Sequence, residues 1–208
     1  MVLGITGGVG SGKSLVLELL RSEFGFTVLQ TDILAKVVMA EDAACRNALK
    51  KAFGEAIFLP DGAIDKVKFA SLIYADDAAR RLTDSIVHPA VWREAKQEIE
   101  KIQQSEKTQD KLQNKMQNKT ANIALETALP EPEFFELCDT VWYIHVDKAV
   151  RIARLMASRG YAKEKCLAMI KSQPDEIHYR DLADVVIHNS GTKEETLRQM
   201  QEALYKQP

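Results

Sequence analysis

The chain opens on an apolar stretch, Val2, Leu3 and Ile5, passes through the glycine-rich segment GITGGVGSGKS at 4–14, and continues with Leu15, Val16, Leu19 and Leu20 at helical spacing. A short continuous apolar run bounded by glycines reads as a buried strand, and the recurrence after it reads as one face of a helix. The pattern predicts strand, loop, helix, with the helix starting near Lys13, running to about Phe24 and stopping at Gly25 in a left-handed C-cap. TVLQTD supplies a second strand, and the short connections imply a parallel βαβ unit with a right-handed crossover. From 33 to 104 the pattern is almost wholly helical, broken by GEAIFLPDGAID at 54–65 and by His88-Pro89. So many helices between two strands of one sheet read as an inserted helical subdomain.

The polar stretch QQSEKTQDKLQNKMQNKTAN predicts an extended surface helix followed by a loop. ANIALET and TVWYIHV read as buried strands separated by ALPEPEFFELCD. A helix is expected over 147–159, then a break at Gly160-Tyr161, a second helix to about Gln173, a last strand at VVIHN and a closing helix over 192–206. Five strands alternating with helices make a doubly wound α/β core, and no internal repeat is present.

Composition narrows the class. A chain of 208 residues with 46% hydrophobic positions can bury a real core. Lys+Arg 28 against Asp+Glu 30 leaves a formal charge of -2, so nothing global points to nucleic acid or a membrane surface, and any anion site must be local. The three cysteines, Cys45, Cys138 and Cys166, form no CxxC pair and suit a reducing cytosol. No secretory leader and no membrane-spanning stretch is recognisable, which sets a cytoplasmic location as the expectation. The four histidines lack metal-ligand spacing, so no zinc site is expected.

Gly7-x-x-x-x-Gly12-Lys13-Ser14 satisfies G-x-x-x-x-G-K-[ST] in the strand–loop–helix context that gives the pattern meaning. Glycines let the backbone wrap closely enough for successive N–H groups and the helix N-terminus to face phosphate oxygens. Lys13 brings a compact positive charge, and the Ser14 hydroxyl can ligate Mg²⁺. Asp32, at the end of TVLQTD, stands where a phosphoryl transfer to an alcohol needs a carboxylate to accept the proton. It reads equally well as the N-cap of the following helix. Glu126 ends the apolar run NIALE, where a carboxylate can hold a Mg²⁺-bound water or serve structure alone.

With these residues in hand, the sequence resembles the dephospho-CoA kinase family, P-loop kinases similar to the nucleoside monophosphate kinases. The likeness is carried by ITGGVGSGKS, TDILAKVV, FGEAIFLPDGAID, IYAD at 73–76, VHP at 87–89, RLMASRGY, the Ser172-Gln173 pair and LADVVIHNSG, in that order. It implies a single P-loop kinase domain over 1–208, with a helical acceptor (CoA-side) subdomain at 33–104 and a lid at 148–175. It implies phosphorylation of the ribose 3′-hydroxyl of dephospho-CoA by ATP with Mg²⁺, a small-molecule partner, no nucleic acid or membrane partner, and a monomer.

Carried over residue by residue, the resemblance makes Asp32, Lys13 and Arg154 catalytic. Gly8, Gly10, Ser11, Gly12, Lys13, Ser14, Leu15 and Asn189 become nucleotide-binding, Thr6, Asp32, His88 and Arg159 substrate-binding, and Ser14 and Glu126 metal-binding. Asn189 also reads as a turn residue, and His88 as a fixture of the turn between two helices. The chain departs from the family pattern at Ser158, where an arginine is usual and Arg159 follows one place later, at Met169, and in TALPEPEFFE. A kinase of another small alcohol or nucleotide would share the core but not the PDG and HP pieces. A regulatory nucleotide switch would need base recognition of the NKxD type, which is absent.

Overall fold

β1 (Val2–Thr6) is buried along its whole length and forms the middle of a five-stranded parallel sheet in this computed structural model, which describes residues 1–112 and 121–205. β3 (Ile123–Thr127) and β4 (Thr140–His145) flank it in parallel, with Thr6 in register with Thr127 and Tyr143. β5 (Val185–His188) runs parallel beyond β4, and β2 (Thr27–Gln30) borders β3, giving the order β2-β3-β1-β4-β5. The chain first winds outward to β2, leaving a space for β3, and then reverses to the other side. That reversal opens a crevice outside the carboxyl ends of β1 and its neighbours, where open α/β sheets bind ligands.

The described residues group into two compact units, one built from residues 1–29 and the chain from 106 onward, the other from residues 30–105. In the first unit, α1 (Lys13–Phe24) buries Val16, Leu17, Leu19 and Leu20 in one cluster with Leu3, Ile5, Trp142, Ile144, Ile187 and Met200. Gly25 ends it with φ 69, and the Phe26 N–H reaches back to the Leu20 carbonyl at 3.0 Å, as the predicted left-handed cap requires. The break ALPEPEFFELCD holds a short helix, α6 (Pro132–Leu137), whose Phe134 is fully buried over β1. A Cβ on Gly4 would lie 2.7 Å from the Phe134 ring and 2.8 Å from the Cys138 sulfur. Glycine at position 4 thus follows from helix packing and not from phosphate binding. Burial pushes the Cys138 thiol up to about 12, so it is inert at neutral pH.

After β4 come α7 (Lys148–Arg159), α8 (Lys163–Lys171), α9 (Glu176–Asp181) and, after β5, α10 (Lys193–Tyr205). The left-handed Gly160, φ 64, makes the expected break after α7. The short α9 is absent from the sequence expectation. It is capped by Asp175, whose carboxylate accepts from the His178 N–H at 2.8 Å, and anchored by Tyr179, stacked flat on Tyr143 with centroids 5.2 Å apart.

The second unit holds α2 (Thr31–Glu41), α3 (Ala43–Phe53), a 3₁₀ turn at Glu55–Ile57, α4 (Lys66–Ala75) and most of α5 (Asp77–Leu112). The predicted interruption at 54–65 is real: Gly54 and Gly62 have φ of 77 and 81, and Phe58 and Ile64 form an antiparallel bridge. The interruption at His88-Pro89 is not. Pro89 lies inside α5, which runs straight through it. An internal proline costs about 3 kcal/mol, but Val87, Ala90, Val91, Trp92 and Ala95 are all buried around it. Keeping that apolar face continuous outweighs the lost hydrogen bond. His88 therefore turns no corner; it pairs along the helix with Asp84, 3.6 Å away. The predicted surface helix after Gln103 is helical to Leu112, and the remainder of that segment to residue 120 lies outside the described residues. No helix among the described residues is long and apolar enough to cross a membrane.

Candidate active site

Thr6, fully buried, ends β1, and the chain turns at once into the loop that leads to α1. The Ser11 N–H donates to the Gly8 carbonyl at 3.1 Å and closes the loop. Gly12 takes the N-cap position of α1 at φ 81, a backbone conformation that strains any residue with a Cβ. The first turn of α1 contains no acidic residue, so the positive end of its dipole is left for an anion. Ser14 is exposed in that turn.

Lys13 is not the exposed lysine of an open turn. Its side chain is only 13% exposed, its Nζ donates to the Gly7 carbonyl, and it lies 3.5 Å from Oε1 of Glu126, itself nearly buried on β3. A buried carboxylate needs such a partner. Strand pairing sets this geometry, because Glu126 and Ile5 are in register on adjacent parallel strands. The residues proposed from sequence for phosphate charge and for the metal are thereby brought together.

A second layer of contacts holds the loop from outside. The Asn189 amide, 1% exposed, donates to the Ser11 carbonyl at 2.9 Å, and its oxygen accepts from the Thr196 hydroxyl at 2.9 Å. The Asn189 side chain is therefore used on the loop and on α10. The Leu15 N–H goes to the Gly12 carbonyl at 3.0 Å and its side chain packs against the core.

Helix α7 lies against the crown of the loop. A Cβ on Gly10 would sit 2.9 Å from Leu155 Cγ, and one on Gly8 would sit 2.1 Å from Nη2 of Arg151. The two glycines outside the Gly7, Gly12 spacing are explained by this close approach. Arg154 Nη1 comes within 3.3 Å of a Cβ placed on Gly12, so this arginine does reach the loop. Arg159 does not share that position; it is the exposed last residue of α7. The sequence reading overlooked Arg151, which donates from Nε to the Val9 carbonyl. No motif singles it out, since it is one of three arginines on an amphipathic helix.

In the second unit, Asp32 stands in the first turn of α2 and is exposed. The N-cap is Gln30, so the capping role that the sequence allowed for Asp32 is not the one it has. His88 lines a cavity of about 990 Å³ within this unit, with Lys36, Arg46, Lys66 and Arg80 on its walls beside Met39, Phe69 and Ile73. Among the described residues no cluster of three or more His, Cys, Asp or Glu side chains could hold a metal unaided.

Comparison with known proteins agrees with this geometry. The family model for dephospho-CoA kinase matches residues 1–195. The chain belongs to the dephospho-CoA kinase family. A curated dephospho-CoA kinase from Shouchella clausii is 32% identical over 207 residues, covering 99% of this chain and 98% of the relative. A crystal structure of TT1252 from Thermus thermophilus superposes with a TM-score of 0.74 at 28% identity, covering 99% of this chain and 96% of that one. The shikimate kinase from Acinetobacter baumannii shares the fold, with a TM-score of 0.52 at 13% identity over 98% of this chain and 92% of that one. Family membership makes the protein a kinase, and its loop is the phosphate-binding loop of that fold, which uses ATP.

Proposed function

We propose that this chain moves the γ-phosphoryl group of ATP to the ribose 3′-hydroxyl of dephospho-CoA, giving coenzyme A and ADP, the last step of coenzyme A synthesis. The observation that carries the reading is the phosphate loop with its Lys13–Glu126 pair, in a chain matched by the dephospho-CoA kinase model over residues 1–195. Loop amides and the α1 N-terminus take the ATP phosphates, Lys13 neutralises charge on them, and the Arg154 guanidinium beside Gly12 adds a second cation. Ser14 and Glu126 fit a Mg²⁺ ion, which takes one or two carboxylate or hydroxyl oxygens and relies on substrate phosphates for the rest. When bound, that ion would neutralise charge on the phosphate oxygens. Thr6, at the end of β1, and His88, on the cavity wall, are assigned to substrate contact.

Asp32 holds the attacking hydroxyl and accepts its proton. The 3′-oxygen bonds to the γ-phosphorus as the bond from that phosphorus to the bridging oxygen breaks, and ADP leaves with the electron pair. Segment 148–175 acts as the lid that keeps water from competing for the phosphoryl group. The cavity of the second unit, lined by both apolar and cationic side chains, suits an acceptor with a long thiol-bearing arm and phosphates. The protein works as a monomer in a reducing cytosol, which its three unpaired cysteines suit.

The deciding assay offers ATP with dephospho-CoA, adenosine, AMP or shikimate in turn and follows ADP release. Turnover is expected with dephospho-CoA at rates at least about a hundredfold above the others. Comparable turnover of shikimate or AMP would overturn the acceptor assignment.

Placement of Arg154 and Arg159 on α7 yields a further expectation. Arg154→Ala should lower kcat by roughly tenfold to a thousandfold, with a smaller change in KM for ATP, because its charge matters most when the equatorial oxygens gain charge. Arg159→Ala, at the exposed helix end, should change kcat by less than about threefold. The opposite ranking in steady-state kinetics would move the clamp to Arg159.

A further inference from the structure

The Val9 backbone, at the crown of the loop, is held at its N–H and at its carbonyl by side chains from the two ends of the α7–α8 segment. Its N–H donates to Oε1 of Gln173 at 2.8 Å, and its carbonyl accepts from Nε of Arg151. The ring closes because Nη2 of Arg151 donates to the same Gln173 oxygen. Arg151 is in the first turn of α7, and Gln173 lies two residues beyond α8. Both are half-buried, and burial pulls the Arg151 guanidinium below its usual value, though arginine stays a cation in proteins. Its field also reaches the stacked Tyr143–Tyr179 pair, and the Tyr179 hydroxyl donates to the Ala128 carbonyl at 2.9 Å, which ties the root of α9 to the end of β3.

We infer that Arg151 and Gln173 form a latch that sets the two peptide groups flanking Val9, so that the phosphate loop and both roots of the α7–α8 segment behave as one mechanical element during nucleotide binding. Three features support this. The guanidinium donates from two of its nitrogens, Nε and Nη2, to two different acceptors at once. Gly8 leaves room for it, since any Cβ there would collide with Nη2. And one carbonyl oxygen, Oε1 of Gln173, joins the loop to α7, so removing either partner strips the other of its geometry. Arg151 and Gln173 are positioning residues: they orient the amides that bind phosphate and need not touch the group transferred. Movement of the segment between 152 and 172 is then felt at the loop, and a nucleotide in the loop is felt at the segment.

The inference rests on the nucleotide site proposed above, and binding of ADP separates the two. ADP carries no transferable phosphoryl group and needs no acceptor, so its dissociation constant reports the loop alone. Calorimetry on the whole chain should show wild-type protein binding ADP; failure there would overturn the nucleotide site itself. Arg151→Gln and Gln173→Ala should each weaken ADP by about tenfold, and the double variant should be no weaker than about tenfold to thirtyfold, not the roughly hundredfold of independent sites. At saturating ATP, kcat should fall less than ADP affinity. Thermal melting without nucleotide checks the fold, and Gln173→Ala, at a half-buried helix end, carries the test alone if Arg151→Gln does not fold. Unchanged ADP affinity, multiplicative losses in the double variant, or a loss confined to kcat would each overturn the latch.

Discussion

Lys13→Ala should lower kcat by at least about a thousandfold, because it removes the cation that faces the β and γ phosphates as charge moves onto the leaving oxygen. The same change should also lower stability, an effect that an exposed loop lysine would not have. Lys13 is 13% exposed and lies 3.5 Å from Glu126, which is almost wholly buried on β3. Stripping a buried carboxylate of a charged partner costs about 1–3 kcal/mol, a few degrees in melting temperature for a chain of this size. Adding Glu126→Gln to Lys13→Ala should return most of that loss while leaving the enzyme inactive. Melting curves and turnover measured on the same three proteins separate the two effects. A Lys13→Ala protein that keeps more than about a tenth of wild-type kcat would remove the phosphate-loop assignment.

The pattern of apolar positions revealed what depends on local periodicity. β1, α1 with its Gly25 cap, and the strands β3, β4 and β5 all stand where the periodicity places them, because each is an apolar run or stripe bounded by a glycine, proline or charged turn. Pro89 misled for a physical reason. A proline reads as a helix break from sequence alone, whereas in α5 the buried face formed by Val87, Val91 and Trp92 carries the helix across it. The partners at the loop were less legible still. The Lys13–Glu126 pair spans more than a hundred positions and exists because Ile5 and Glu126 are in register. Asn189 on Ser11 and Arg151 on Val9 are more distant still in sequence, and a side chain that bonds to a distant backbone carbonyl leaves no periodic mark. Gly4, Gly8 and Gly10 look like parts of one phosphate-binding run. Yet Gly4 makes room for Phe134, and Gly8 and Gly10 make room for α7.

The acceptor side has its sharpest expectation at Asp32. In the first turn of α2, with Gln30 as N-cap and no side-chain capping bond, the Asp32 carboxylate adds to helix stability only through the dipole, about 0.3–1 kcal/mol. Asp32→Asn preserves the size and shape of the side chain and removes its ability to take a proton. If Asp32 is the base, kcat with dephospho-CoA should fall by roughly a hundredfold or more, while ADP affinity stays within about twofold and melting moves by no more than a few degrees. The pairing of results matters, because a carboxylate that merely shaped the helix would change melting without touching turnover. A carboxylate that merely gripped the acceptor would raise KM for dephospho-CoA and leave kcat at saturation intact. Near wild-type turnover of Asp32→Asn at saturating dephospho-CoA would therefore dismiss the base, whatever becomes of the substrate assignment. Proton transfer would then have to be assigned to another group that reaches the 3′-hydroxyl.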